Sequence, residues 1–322
     1  MPAAEPTGQP PSKPRRPRRF SLRADMPMPE AGRAIMAFHF ARLRKLERAA
    51  ASADEEAIHD MRVAIRRVRA AFRIARPYYK PKSVRSFNGE LRALADELGA
   101  ARDLDVIIGH AQAFVERQPP GAPALDGYLA FLRAQRAAAQ QRLLNHLGSR
   151  RLAKFNEEFQ TFLSEPGAAV RASDHLAGTP RVRDAIPAAI WQQYSVVRAY
   201  EAIDNPPVET LHALRIDCKR LRYLLEFFQT VLGRSTTSLI NLTVRAQDHL
   251  GLLHDATVAA DTVRRYVAEH APIEAGDLAA AAAYLSGIQN EIQARRDSFP
   301  DIWREIVGQP FRRQLARLLS KV

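Results

Sequence analysis

The chain has little of what covalently braced or aromatic-rich folds require. A single cysteine, Cys218, stands among 322 residues, which excludes an intrachain disulfide framework and any multi-cysteine metal cluster. Glycine is scarce, with 15 residues, and aromatic residues make up only 7%. β-Sandwiches and barrels use both in their turns and cores, so this composition argues against them. No apolar run approaches the ~18–20 residues of a membrane span. The basic N-terminus is not followed by an apolar stretch of the kind a secretory signal carries, although its arginines remain compatible with a transit peptide. These absences predict a soluble protein of a reducing compartment, the cytoplasm, with no membrane association. Acids are also in deficit: 35 against 48 lysines and arginines, a formal charge of +13 and a pI near 10.3. A surplus of that size predicts a polyanionic partner.

What is present is helix-forming sequence. Residues 1–29 stand apart, because prolines 2, 6, 10, 11, 14, 17, 27 and 29 forbid a helix and favour an extended, solvated arm. The arm carries Lys13, Arg15, Arg16, Arg18, Arg19 and Arg23 against Glu5 and Asp25, yet about +9 remains on the rest of the chain. It reads as a solubilising leader or as an auxiliary anion-binding arm. From Ala31 onward apolar residues recur at spacings of three and four among Ala, Leu, Arg, Glu and Gln. Helices are expected over about 31–52, 54–76, 82–117, 122–147 and 150–164, then 181–203, 207–232, 236–270, 275–298 and 300–320. The fold class is therefore all-α.

The second half repeats the first. His59-Asp60-Met61-Arg62-Val63-Ala64-Ile65-Arg66-Arg67-Val68-Arg69 recurs as His212-Ala213-Leu214-Arg215-Ile216-Asp217-Cys218-Lys219-Arg220-Leu221-Arg222. Leu98-Gly99-Ala100-Ala101-Arg102-Asp103 likewise returns as Leu250-Gly251-Leu252-Leu253-His254-Asp255, and Tyr128-Leu129 as Tyr284-Leu285. The shifts all lie near ~153 residues, the mark of a duplicated helical unit, with repeat one over about 31–165 and repeat two over about 181–320. Two such units can pack about a pseudo-twofold axis and present the same chemistry from opposite sides.

On a helix, His59, Arg62, Arg66, Arg69 and Arg73 fall on one stripe about 80° wide. Beside it runs the apolar set Ile58, Met61, Ile65, Val68 and Phe72, which must face the core. In the second copy His212, Arg215, Lys219 and Arg222 lie beside Leu211, Leu214, Cys218, Leu221 and Leu225; Glu226 stands where the first copy has Arg73. Like charges at i,i+4 repel, and neither stripe interleaves acids to relieve this. An external anion supplies the missing charge, since guanidinium forks grip phosphate oxygens and lysine adds a point charge. A solvated basic face, or a stripe neutralised by acids of another helix, is the alternative. Arg67 and Arg220 lie off the stripe and read as partners of acids, with a supporting role to the site. His59 and His212 are either phosphate donors or helix-cap groups. Arg102 and His254 occupy equivalent positions, each before an aspartate that orients its neighbour or a basic residue opposite.

The combination H-x-x-R-x-x-x-R-R-x-R with L-G-x-x-R-D-x-D-V, then H-x-x-R-x-x-x-K-R-x-R-Y with L-G-x-x-H-D, resembles the CHAD (conserved histidine α-helical domain) family over about residues 30–322. The resemblance implies two pseudo-twofold-related four-helix bundles enclosing a basic central channel that binds inorganic polyphosphate, and an association with polyphosphate granules. It implies binding without catalysis and without a cofactor or metal. Non-specific nucleic-acid binding is the second expectation, although Tyr223 is the one aromatic residue near a stripe that a base could stack on. A metal-dependent phosphohydrolase, suggested by His59-Asp60 and His254-Asp255, is the third. Its two dyads fall at non-equivalent places in the repeat, and no P-loop lysine or G-x-S-x-G motif accompanies them.

Overall fold

The computed structural model describes residues 20–52, 54–119, 121, 124–171, 178–271 and 273–322. The helices are α1 (Met28–Ala51), α2 (Glu55–Ala75), α3 (Pro81–Val115), α4 (Asp126–Leu147), α5 (Arg150–Ser164), α6 (Val182–Ala199), α7 (Val208–Phe227), α8 (Gln229–Leu232), α9 (Thr236–Glu269), α10 (Ala275–Val307) and α11 (Gln309–Leu319). No strand occurs among the described residues, and no helix among them is long and apolar enough to cross a membrane.

Local chemistry sets the boundaries. Asp54 caps α2 by accepting hydrogen bonds from the backbone N–H groups of Glu56 and Ala57 at 2.9 and 3.2 Å. Glu55 and Glu56 then place negative charge in the first turn, where the helix dipole favours it. α7 ends at Phe227, and α8 stops at Gly233, whose φ of +91° a β-carbon would strain. One break differs from expectation. Pro300 lies inside α10, which runs on to Val307. A proline removes one backbone donor, and the burial of Phe299 and Ile306 on either side of it carries the helix through.

The expected N-terminal tail is shorter than its prolines suggest. Residues 1–19 lie outside the described residues. From Phe20 onward the segment is docked: Leu22 is buried, and the N–H groups of Val182 and Arg183 donate to the carbonyls of Met26 and Ala24, both at 2.9 Å. Met28 N–H donates in turn to Pro180 C=O at 3.0 Å. Extended backbone that proline keeps out of a helix is free to bond elsewhere, and Phe20, Leu22, Met26 and Met28 supply the apolar contact.

The apolar residues gather in two cores, and these do not divide as one four-helix bundle per repeat. The larger core joins α1, α2, α5, α6, α7 and α11 to the first half of α3, the first half of α9, Leu143 near the end of α4, and Phe299 and Ile306 in the second half of α10. Ile58, Met61, Ile65, Val68 and Phe72 from α2 enter it beside Leu211, Leu214, Cys218, Leu221 and Leu225 from α7. The smaller core is built from the remaining lengths of α3, α4, α9 and α10, two helices from each half of the chain. Tyr128 of α4 lies 5.2 Å from Tyr266 and 6.0 Å from Tyr284, ring centre to ring centre. The physical reason is length: α3, α9 and α10 have 35, 34 and 33 residues and project beyond the larger core, so their far ends bury apolar surface on one another.

A basic cleft between two helices

The larger core fixes the site. Because the apolar faces of α2 and α7 are both buried in it, the basic stripes beside those faces are turned toward one another. The result is a cleft in which charge of one sign comes from both halves of the chain. A cavity of about 140 Å³ between the two helices is lined by Arg66, Arg69 and Arg73 from α2 and by Lys219, Arg220 and Tyr223 from α7.

The electrostatics show which expected residues converge. Lys219 is largely removed from water and repelled by Arg215, Arg66, Arg62 and Arg222; burial first, and these charges second, push its pKa down to about 7. Burial also lowers Arg215, which feels Asp255 as attraction and Arg66 and Arg62 as repulsion. His254 is lowered to about 4 by burial and by Arg215, His212 and Lys219. His212 is lowered by burial and the same two cations, and its Nδ1 stands 3.0 Å from Nδ1 of His254. His59 sits apart from that pair, exposed at the start of α2, lowered by burial and by Arg102, which it faces from α3.

Acids from neighbouring helices meet some of the cations and not others. Arg62 donates to Asp103 of α3 at 2.7 Å, and Asp255 of α9 holds the matching position beside Arg215. Arg222 and Arg67 share Glu226, at 3.5 and 3.0 Å, so Arg222 lies toward the end of the cleft with its charge partly met. Arg220 pairs with Asp217 at 2.7 Å while still lining the cavity. Among the described residues, no carboxylate forms an ion pair with Arg66, Arg69, Arg73, Arg102, Arg215 or Lys219. Nε of Arg66 and of Arg215 is buried without a hydrogen-bond partner.

One participant escaped the sequence reading. Asp217 is buried, accepts from Tyr200 Oη at 2.9 Å and holds Arg220 at the cavity wall; its i,i+3 spacing to Arg220 was the available signal. Tyr223, the aromatic residue expected beside a stripe, lines the cavity yet is only 4% exposed, with its ring stacked on Phe227. The carboxylates of the two His-Asp dyads are turned to arginines: Asp60 accepts from Arg42 at 3.2 Å, and Asp255 faces Arg215. No group of three or more His, Cys, Asp or Glu among the described residues is placed to hold a metal ion.

The family model of the CHAD domain matches residues 34–264, a span that holds α2, α7 and every residue of the cleft. The chain belongs to the CHAD family. Its fold is similar to the crystal structure of the CHAD domain from the plant Ricinus communis, at 25% identity and a TM-score of 0.70, covering 91% of this chain and 97% of that one. It is also similar to PptA from Streptomyces chartreusis, at 16% identity and a TM-score of 0.66, covering 86% of this chain and 99% of that one. Comparison with curated proteins returns no match. The CHAD motifs thus coincide with the α2–α7 cleft and with the residues of α3 and α9 that face it.

Proposed function

We propose that this CHAD protein binds inorganic polyphosphate, without catalysis, in the cleft between α2 and α7. One observation carries the reading: Arg62, Arg66, Arg215 and Lys219, drawn from both halves of the chain, converge where burial and mutual repulsion push Lys219 to about 7. A partly buried cluster of four cations that only Asp103 and Asp255 offset is costly, and a polyanion with a charge on every phosphate relieves it. On this reading the two stripes are the duplicated walls of a basic channel, and the polymer is gripped from both sides by guanidinium forks. His59, Arg102, His212 and His254 extend the donor set at the channel ends. A cytoplasmic place at polyphosphate granules follows from the same partner.

Nucleic acid would meet the same charges through its backbone. The state of Tyr223 favours polyphosphate, because a ring buried against Phe227 offers no face to a base. The pairing of Asp60 and Asp255 with arginines favours binding over metal-assisted hydrolysis.

The test is a salt titration of binding to long-chain polyphosphate and to single-stranded DNA. Wild type is compared with the Arg62→Ala/Arg66→Ala/Arg215→Ala/Lys219→Ala variant. With about five phosphates engaged, polyphosphate affinity falls about 100-fold between 50 and 200 mM salt. The variant loses most of the affinity and of the salt slope, and DNA binds weakly. Equal binding of both polymers, unchanged in the variant, would overturn the proposal, as would steady phosphate release from polyphosphate in the presence of divalent metal.

A further inference from the structure

A second cavity, of about 630 Å³, lies beyond the Arg67–Glu226 ion pair, which forms part of its wall. It is bounded by α1, α7, α8 and α9, and its size is that of a small-molecule site. Its most unusual wall residue is His39 of α1, 1% exposed, with neither ring nitrogen hydrogen-bonded. Burial, reinforced by Arg67 and Arg42, pushes its pKa down to about 3, so the ring is neutral and offers one donor and one acceptor. Buried polar groups without partners are rare and call for an explanation. Phe38, Phe227 and Phe20 surround the imidazole, with ring centres 5.0, 5.8 and 5.9 Å away. On the rim Arg234 is exposed, and no carboxylate among the described residues forms an ion pair with it.

Aromatic walls, one in-plane donor and one acceptor, and an unpaired guanidinium at the mouth define complementary ligand chemistry. We propose that this cavity binds a planar heteroaromatic ring that carries a phosphate, of the nucleoside monophosphate class. The ring lies among the three phenylalanines, its hydrogen-bonding edge meets one ring nitrogen of His39, and its phosphate rests on Arg234. Phe20, half-buried over the imidazole, is the side chain that moves to admit it. The site is separate from the polyphosphate cleft, because none of the residues proposed to touch the ligand lines that cleft.

The experiment is titration calorimetry, with saturation-transfer NMR, of AMP, GMP and adenosine against the full chain. AMP or GMP binds, and adenosine binds at least tenfold more weakly because it lacks the phosphate. His39→Leu, which keeps volume and removes both nitrogens, weakens the nucleotide at least tenfold, whereas His39→Gln, which restores a donor and an acceptor, retains most of the affinity. Arg234→Ala, at an exposed position where folding is not at stake, also weakens it at least tenfold. The Arg66→Ala/Lys219→Ala variant leaves nucleotide binding intact while losing polyphosphate, which keeps the two sites distinguishable. Absence of nucleotide binding overturns the proposal. So does binding that is indifferent to both His39→Leu and Arg234→Ala, or binding lost in the cleft variant.

Discussion

His212 of α7 and His254 of α9 face each other Nδ1 to Nδ1 at 3.0 Å. One ring donates an N–H there and the other accepts, so the accepting ring is neutral. Arg215 and Lys219 beside them, together with burial, hold both imidazoles below the ordinary histidine value, His254 at about 4. A polyphosphate in the cleft reverses the sign of that field and favours a protonated imidazole in the pair, so binding takes up a proton. Affinity for polyphosphate is therefore expected to rise as pH falls from about 7 toward 5, by about twofold where the anion raises His254 by about one unit and about tenfold where it raises it by about two. The His212→Asn/His254→Asn variant is expected to flatten that limb. A profile that stays steep in the variant would show that these histidines do not sense the anion.

Lys219 adds a second titration at higher pH. Its folded value of about 7 lies below the ordinary 10.5, so between those values the unfolded chain binds more protons than the folded one. Stability of the free protein then rises with pH from about 7 to 10. Polyphosphate binding runs the other way, because the anion must return the proton to Lys219. Thermal melts of the free protein are expected to shift upward from pH 7 to pH 9, and polyphosphate affinity to fall over the same interval. Lys219→Arg, charged throughout, is expected to remove the binding limb.

The same imbalance makes a stability prediction at constant pH. Replacing Lys219 by Met keeps the stem that packs between the helices and removes the unbalanced charge. The free protein is expected to gain about 1 kcal/mol, read as a Tm increase of about 2 °C, while losing polyphosphate affinity. This opposition between stability and binding distinguishes a functional cation from a structural one. If Lys219→Met destabilised the free protein, the lysine would have a structural partner in the fold.

Much of the helical frame was legible because a 3.6-residue apolar period survives any tertiary context: both α2 and α7 bury the five residues their patterns nominate. The convergence of the two basic stripes followed from those buried faces. What could not be read was anything set by packing between distant segments. The acid that meets Arg62 comes from α3 and is not visible on the helix that bears Arg62. Arg220 lies off the ideal stripe, yet its ion pair with Asp217 holds it at the cavity. Pro300 carries a break signal that tertiary burial overrides, and the prolines at 27 and 29 did not reveal that residues 20–29 dock onto the start of α6. The mixed ancestry of the smaller core was equally hidden, since periodicity states which face is apolar and not which helix covers it.

That smaller core yields the last prediction. Tyr284 is fully buried; its ring packs against Tyr128 and Phe114 from the first half of the chain, and its hydroxyl bonds Nδ1 of His110 at 2.7 Å. Tyr284→Ala removes a large buried ring and leaves His110 without that partner, an expected cost of about 3–5 kcal/mol, visible as a lower urea midpoint. Cutting the chain is more severe. A fragment ending at residue 171 would expose Ile107, Leu129 and Leu132, which bury against α9 and α10 in the whole protein. It would also uncover the face of α2 that shares the larger core with α7. The fragment is therefore expected to bind a hydrophobic dye and to give poorly dispersed NMR spectra, although it contains an entire repeat by sequence. Mixing it with the complementary fragment is expected to restore dispersion. A cooperatively folded half would instead mean that each repeat closes its own core, and the two-sided grip of the cleft would then be an association of independent domains.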